Sequence, residues 1–155
     1  MMDASPLPAL AGHHLTADLS GCEPTQAWMQ DSDALRDACL KHVAAVGLTA
    51  VADRFHRFPP RQVGEPAGVT GVVLLAESHL AVHTWPEQGV VTLDVFVCNL
   101  VGDNRARAQA LIDGLIEGFR PRGVHRQAVR REIPDASATA RAARKPWLNA
   151  SSNTE

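Results

Sequence analysis

Cysteine is scarce. The 155-residue chain holds three, Cys22, Cys39 and Cys98, an odd number too widely spaced for a disulfide framework or a zinc ribbon. Long apolar runs are missing as well: every one is broken by polar residues well short of the roughly 18 that a membrane span needs. Excess charge of one sign is also lacking. A net charge of −2 gives no general pull toward nucleic acid or anionic lipid, so neither is an expected partner. The first ten residues, Met1 to Leu10, do not show the basic-then-apolar order of a signal peptide, and the expected compartment is the reducing cytoplasm. What the chain does have is ordinary for a folded domain. Hydrophobic residues make up 45% and charged residues 21%, enough apolar side chain to offset the entropy of ordering one domain.

Patterning along the chain predicts an α/β (α+β) fold. Residues 1–12 read as a loose arm and 13–19 as a short alternating strand. Ser20-Gly21-Cys22-Glu23-Pro24 is a turn. Asp31, Ser32 and Asp33 offer a helix N-terminus and Gly47 a stop. Between them Leu35, Ala38, Cys39, His42, Val43 and Val46 follow the 3.6-residue period. Strand-like runs cover 48–58, 69–76, 79–85 and 90–98, the last rich in β-branched residues. A break rich in Pro, Gly and polar residues separates the first two. Asp103 and Asn104 cap a second helix whose stripe is Ala108, Leu111, Ile112, Leu115 and Phe119, and 122–133 supplies a last strand. The expected domain is a single unit over 1–133, with a flexible tail over 134–155. Two helices on one face of a mainly antiparallel sheet make a two-layer sandwich.

The other sheet face carries the chemistry. On 79–85, His79, Ala81, His83 and Trp85 alternate with Leu80, Val82 and Thr84. On 90–98, Asp94, Phe96 and Cys98 alternate with Val91, Leu93, Val95 and Val97. The aliphatic sides suit a helix layer. The mixed sides suit a ligand site, a subunit contact, or both. Taken alone, Cys98 reads first as a small hydrophobe and His83 as a hydrogen-bonded structural histidine. A Cys–His nucleophilic pair is a further reading. No metal is expected, because His79, His83 and Cys98 have no further ligand at a familiar spacing.

A longer pattern adds to this. Phe55-His56-Arg57-Phe58, then Gly68-Val69-Thr70-Gly71, then Glu77-Ser78-His79, His83-Thr84-Trp85-Pro86-Glu87 and finally Asp94-Val95-Phe96-Val97-Cys98 resemble the bacterial and archaeal S-adenosylmethionine decarboxylases in order and spacing. The resemblance extends more loosely from about Gly12 to Glu132. It implies a proenzyme that cuts its own backbone between Glu77 and Ser78, leaving chains 1–77 and 78–155, with Ser78 converted to a covalent pyruvoyl group. It further implies that His83 is the base of the elimination step, that Thr70 supplies a hydroxyl assisting the cleavage, and that Cys98 is the proton donor during turnover. In turnover the pyruvoyl ketone would form a Schiff base with the substrate amine and draw electrons as carbon dioxide leaves.

By the same resemblance Phe58 and Trp85 pack on the adenine of S-adenosylmethionine, and Glu87 binds the ribose hydroxyls. The expected assembly is a homodimer or larger, with the mixed sheet faces near the subunit contact. The expected role is supply of aminopropyl groups for polyamine (spermidine) synthesis. Ser78 and His83 are five residues apart, so a flat strand puts them on opposite faces, and a bend or bulge near Ser78 is expected. Two departures stand out. The 59–67 stretch is longer than in small relatives, and Asn99 replaces the Gly that many relatives have after the Cys. Some homologues of this broad family act on arginine or ornithine, and a non-processing ligand-binding homologue is the rival of another kind.

Overall fold

The computed structural model describes residues 11–99 and 102–132. The elements run β1 Ala11–Ser20, α1 Ala27–Gln30, α2 Ser32–Ala45, β2 Ala50–Arg57, β3 Val69–Leu75, β4 Ser78–Trp85, β5 Val90–Cys98, α3 Arg105–Phe119 and β6 Gly123–Glu132. Of the arm read over residues 1–12, Ala11 and Gly12 instead belong to β1, where they pair with β6; residues 1–10 and the tail over 134–155 lie outside the described residues. One-turn α1 was not predicted from the sequence: four residues are too few to establish a helical period.

The six strands form one sheet in the order β2-β3-β4-β5-β1-β6, and every neighbouring pair is antiparallel. The expected two-layer α+β architecture is therefore present. Helix α2 packs on β2 and β3, and α3 on β1 and β5. The core lies between sheet and helices. Leu80 and Val82 of β4 and Leu93 and Val95 of β5 meet Leu35 and Val43 of α2 and Leu111, Leu115 and Phe119 of α3. Burial strictly alternates along β5 and over most of β4, as the period-two pattern requires.

Local chemistry fixes the ends of the elements. The Asp31 side chain accepts the backbone N–H groups of Asp33 and Ala34 and caps α2. Gly47, at φ 77°, takes the left-handed conformation that ends it. A tight turn joins β4 to β5: the Gln88 N–H donates to the Trp85 carbonyl at 3.0 Å, which puts Glu87 at its tip. Thr84 is buried among apolar residues. Its hydroxyl accepts the Val69 N–H at 2.8 Å and donates to the Met29 carbonyl at 2.8 Å, tying β4 to β3 and α1.

The face away from the helices is mixed, as its sequence predicts. His14 and His79 both hydrogen-bond Asp94 Oδ1 through Nε2, at 2.8 and 3.2 Å. The Arg131 guanidinium stands 4.5 Å above the Phe96 ring. Leu74 and Val129 on the same face are exposed.

Candidate active site

The candidate residues fall into two groups. The first forms where β4 starts and β5 ends. Ser78 opens β4, and Cys98 closes β5 on the neighbouring strand. Ser78 Oγ and Cys98 Sγ lie 3.4 Å apart, within hydrogen-bonding reach. The Cys98 backbone N–H donates to the Glu77 carbonyl oxygen at 2.8 Å, so the carbonyl at the expected cleavage point is already polarised by a donor. The Glu77 segment is held from the other side by Thr49. The Thr49 carbonyl accepts the Ala76 N–H at 2.9 Å, and the Thr49 N–H reaches Glu77 Oε2 at 3.4 Å. A cavity of about 590 Å³ opens beside these groups. Ser78 and Cys98 line it, together with Asp103 and Asn104 just before α3 and Arg107 in its first turn.

The second group lies further along the sheet. Thr70 Oγ1 and His83 Nδ1 are 2.8 Å apart, side by side on β3 and β4. They line a second cavity of about 630 Å³, together with Phe58, Trp85 and Glu87. Phe58 is 49% exposed and Trp85 37%, so neither is a core residue and both rings are accessible. The long 59–67 stretch forms one wall through Arg61 and Glu65.

One expectation is met only in part. The chain bends at Ala76 and Glu77, just before the strand, but no bulge or register shift occurs between β4 and β5 over Ser78–Trp85 or between β4 and β3 over His79–His83. The Ser78 φ of 159° is close to extended backbone. Five residues of strand at ~3.3 Å each separate Ser78 from His83 by about 16 Å. Regular pairing with two neighbours holds β4 straight, so one chain brings Ser78 to Cys98, and Thr70 to His83, but not the two pairs to each other.

The cysteines differ in environment. Cys39 is buried within α2, and burial pushes its thiol up to about 12. Cys22 is also buried and its thiol is raised. Cys98 is partly accessible. Among the described residues no group of three or more His, Cys, Asp or Glu is placed to hold a metal ion, and no helix is long and apolar enough to cross a membrane.

Sequence reading did not single out Thr49 or Arg107, and it took Asn104 for a helix cap. In the structure Asp103 does the capping: its Oδ1 accepts the Arg105 N–H at 3.0 Å. The Arg105 guanidinium beside it holds the Asp103 carboxyl down at about 2. No spacing rule would have found these three, because each depends on how a loop folds back on the sheet end.

Residues 13–132 match the S-adenosylmethionine decarboxylase family model. The S-adenosylmethionine decarboxylase proenzyme of Pyrococcus abyssi is 33% identical over 128 residues, covering 83% of this chain and 84% of that protein. The proenzyme of the same name from Aquifex aeolicus is 33% identical over 135 residues, covering 86% and 90%. The crystal structure of the adenosylmethionine decarboxylase from Aquifex aeolicus superposes with a TM-score of 0.67 at 33% identity, over 81% of this chain and 93% of that one. With the sheet, the Glu77-Ser78 junction and the paired Cys98 in place, this chain belongs to the S-adenosylmethionine decarboxylase family.

Proposed function

We propose that this chain is a proenzyme that cleaves itself between Glu77 and Ser78 and then decarboxylates S-adenosylmethionine, supplying aminopropyl groups for polyamine synthesis. The observation that carries the reading is the Ser78–Cys98 contact beside a Glu77 carbonyl that already accepts a hydrogen bond from the Cys98 N–H.

Cleavage follows from these groups. Ser78 Oγ adds to the Glu77 carbonyl carbon, the C–N bond breaks, and the hydroxyl proton passes to the released amine, leaving an ester. Charge develops on the carbonyl oxygen during this step, and the Cys98 N–H is a fixed donor for it. His83 then removes the Ser78 α-proton. The Cβ–Oγ bond breaks and Glu77 leaves as the carboxylate ending the first chain. Addition of water and loss of ammonia leave a pyruvoyl group at the start of the second. Thr70, bonded to His83, orients the imidazole or supplies a second donor to the oxyanion.

The site fits such a group. It forms in place from Ser78, at the rim of a cavity, with the Cys98 thiol beside it. Once made, it supplies the electron-withdrawing carbonyl that decarboxylation of an amino acid requires. Cys98 delivers a proton to the substrate carbon after carbon dioxide leaves, a role that needs the protonated thiol. Phe58 and Trp85 offer faces for a flat adenine and a sulfonium cation, and Glu87 accepts from ribose hydroxyls. A nucleoside-sized cavity lined by two aromatic rings favours S-adenosylmethionine over arginine or ornithine.

The working unit is proposed to be a homodimer. General-base transfer needs heavy atoms about 3 Å apart, which the span along β4 forbids within one chain. A second copy on the open sheet face, running the other way, would set Thr70 and His83 of one protomer beside Ser78 and Cys98 of its partner. Two-fold symmetry then makes two equal sites. The exposed Leu74 and Val129 and the half-exposed aromatic residues of that face would be covered at the same time.

The test is mass spectrometry of the purified protein followed by a substrate panel. The expected result is two chains divided after Glu77, the second lacking an ordinary serine N-terminus, with carbon dioxide released from S-adenosylmethionine. An intact single chain would overturn the cleavage reading. Release from ornithine or arginine, and none from S-adenosylmethionine, would overturn the substrate.

A further inference from the structure

We propose that Asn104 is a positioning residue for self-cleavage, holding Cys98 so that its N–H faces the Glu77 carbonyl; the inference rests on the cleavage chemistry proposed above. Asn104 stands at the N-cap of α3, where an asparagine side chain ordinarily accepts a helix N–H. Here it makes no such bond, and the neighbouring Asp103 caps instead. The Asn104 amide is turned inward and the residue is 7% exposed. Its Nδ2 donates to the Cys98 carbonyl at 2.9 Å. Its Oδ1 accepts from Arg107 Nη1 at 3.2 Å. The two partners agree on the orientation of the amide, since a guanidinium can only donate and a carbonyl can only accept.

A second asparagine completes the arrangement. Asn99 Oδ1 accepts the Asn104 N–H at 2.9 Å, and the Asn99 N–H donates to the Ala11 carbonyl of β1 at 2.9 Å. A glycine at 99 would supply no such acceptor. Cys98 is thereby tied through its N–H to Glu77, through its carbonyl to Asn104, and through the next residue to β1.

The position of this bracket gives it consequence. Cys98 is the last residue of β5; beyond it the Asn99 N–H still holds the chain to β1, and the Cys98 carbonyl needs a partner wherever water is excluded. The bond from the Cys98 N–H to Glu77 sits at that end. A displacement of about 1 Å there would misalign the donor on the scissile carbonyl and separate Sγ from Ser78 Oγ, and errors of that size cost reaction rates up to about 100-fold. Asn104 touches neither Ser78 nor the scissile bond, so it acts through Cys98.

The experiment follows self-cleavage of freshly translated precursor by gel electrophoresis, with and without hydroxylamine, for wild type, Asn104→Asp and Asn99→Ala. Asn104→Asp keeps the size of the side chain and removes the donor to the Cys98 carbonyl. Hydroxylamine cleaves the ester directly, so it restores cleavage to a chain blocked after the acyl shift and not to one blocked at it. The expected result is cleavage slowed at least about tenfold in Asn104→Asp, unrestored by hydroxylamine, with circular dichroism and the melting midpoint near wild type. Asn104→Asp cleaving within twofold of wild type, or restored to the wild-type rate by hydroxylamine, overturns the assignment. If Asn104→Asp does not fold, Asn99→Ala decides: slowing of about threefold or more supports the bracket, and a wild-type rate overturns it. A wild-type chain that never cleaves would instead sink the parent reading, so the two failures are distinguishable.

Discussion

Burial in α2 raises the Cys39 thiol to about 12, and that makes a stability statement with a definite sign. A group whose folded value lies above its unfolded one contributes stability that is complete below the unfolded value and is lost as pH rises toward the folded one. Cys39 therefore weakens the fold between about pH 9 and 12, with a slope of at most about 1.4 kcal/mol per pH unit. Denaturant unfolding of Cys39→Ala across that range should show a flatter alkaline limb than wild type; identical limbs would refute the assignment. The same contrast predicts thiol labelling of the native chain at Cys98 first, with Cys22 and Cys39 reacting only after unfolding. At the reaction centre, Ser78→Ala should remain one chain with no activity. Cys98→Ala should still cleave at least in part, because its N–H remains, yet turn over poorly; full activity would remove the Cys98 thiol from the mechanism. Ser78, His83 and Cys98 were legible only through the family resemblance that the Glu77-Ser78-His79, His83-to-Glu87 and Asp94-to-Cys98 segments carry; taken alone, Cys98 and His83 read as ordinary strand residues. Asn104 was not. As Asp-Asn before a helix it reads as a cap, and only the fold shows that Asp103 caps while Asn104 turns to the Cys98 carbonyl.

Elements were legible where one face is apolar. Alternation along β4 and β5 and the stripes of α2 and α3 predict which sides are buried, and the helices cover those sides. Single-turn α1 and the straightness of β4 escaped the pattern. The first is shorter than its own period. The second is set by two neighbouring strands, and parity along one strand carries no record of them. Thr84 shows how a polar residue can be correct on a buried face: its hydroxyl joins the Val69 N–H to the Met29 carbonyl. Thr84→Val keeps the shape and leaves both backbone groups unpaired. It should cost about 2 kcal/mol and lower the melting midpoint by about 5 °C. A midpoint within 1 °C of wild type would show that water or a shifted partner replaces the hydroxyl.

For the whole molecule, the separation of the two residue groups makes the assembly testable by genetics on one sequence. Ser78 and Cys98 lie at one end of β4, while Thr70 and His83 lie about five residues along it. If each site is built from one chain, co-expression of Ser78→Ala with His83→Ala yields no complete site in any pairing, and nothing cleaves. If each site is shared across a two-fold axis, the mixed dimer holds one complete site. Ser78 of the His83→Ala copy then meets His83 of the Ser78→Ala copy, and only the His83→Ala chain is cut. Distinct affinity tags on the two copies let gel electrophoresis read which chain is cut. Mixed dimers form in about half of random pairings, so roughly half of the His83→Ala chains should divide, while either variant expressed alone should stay whole. Cleavage of neither chain in purified mixed dimers would place the complete site within one protomer. It would then require β4 to bend in solution in a way that its unbroken pairing with β3 and β5 opposes.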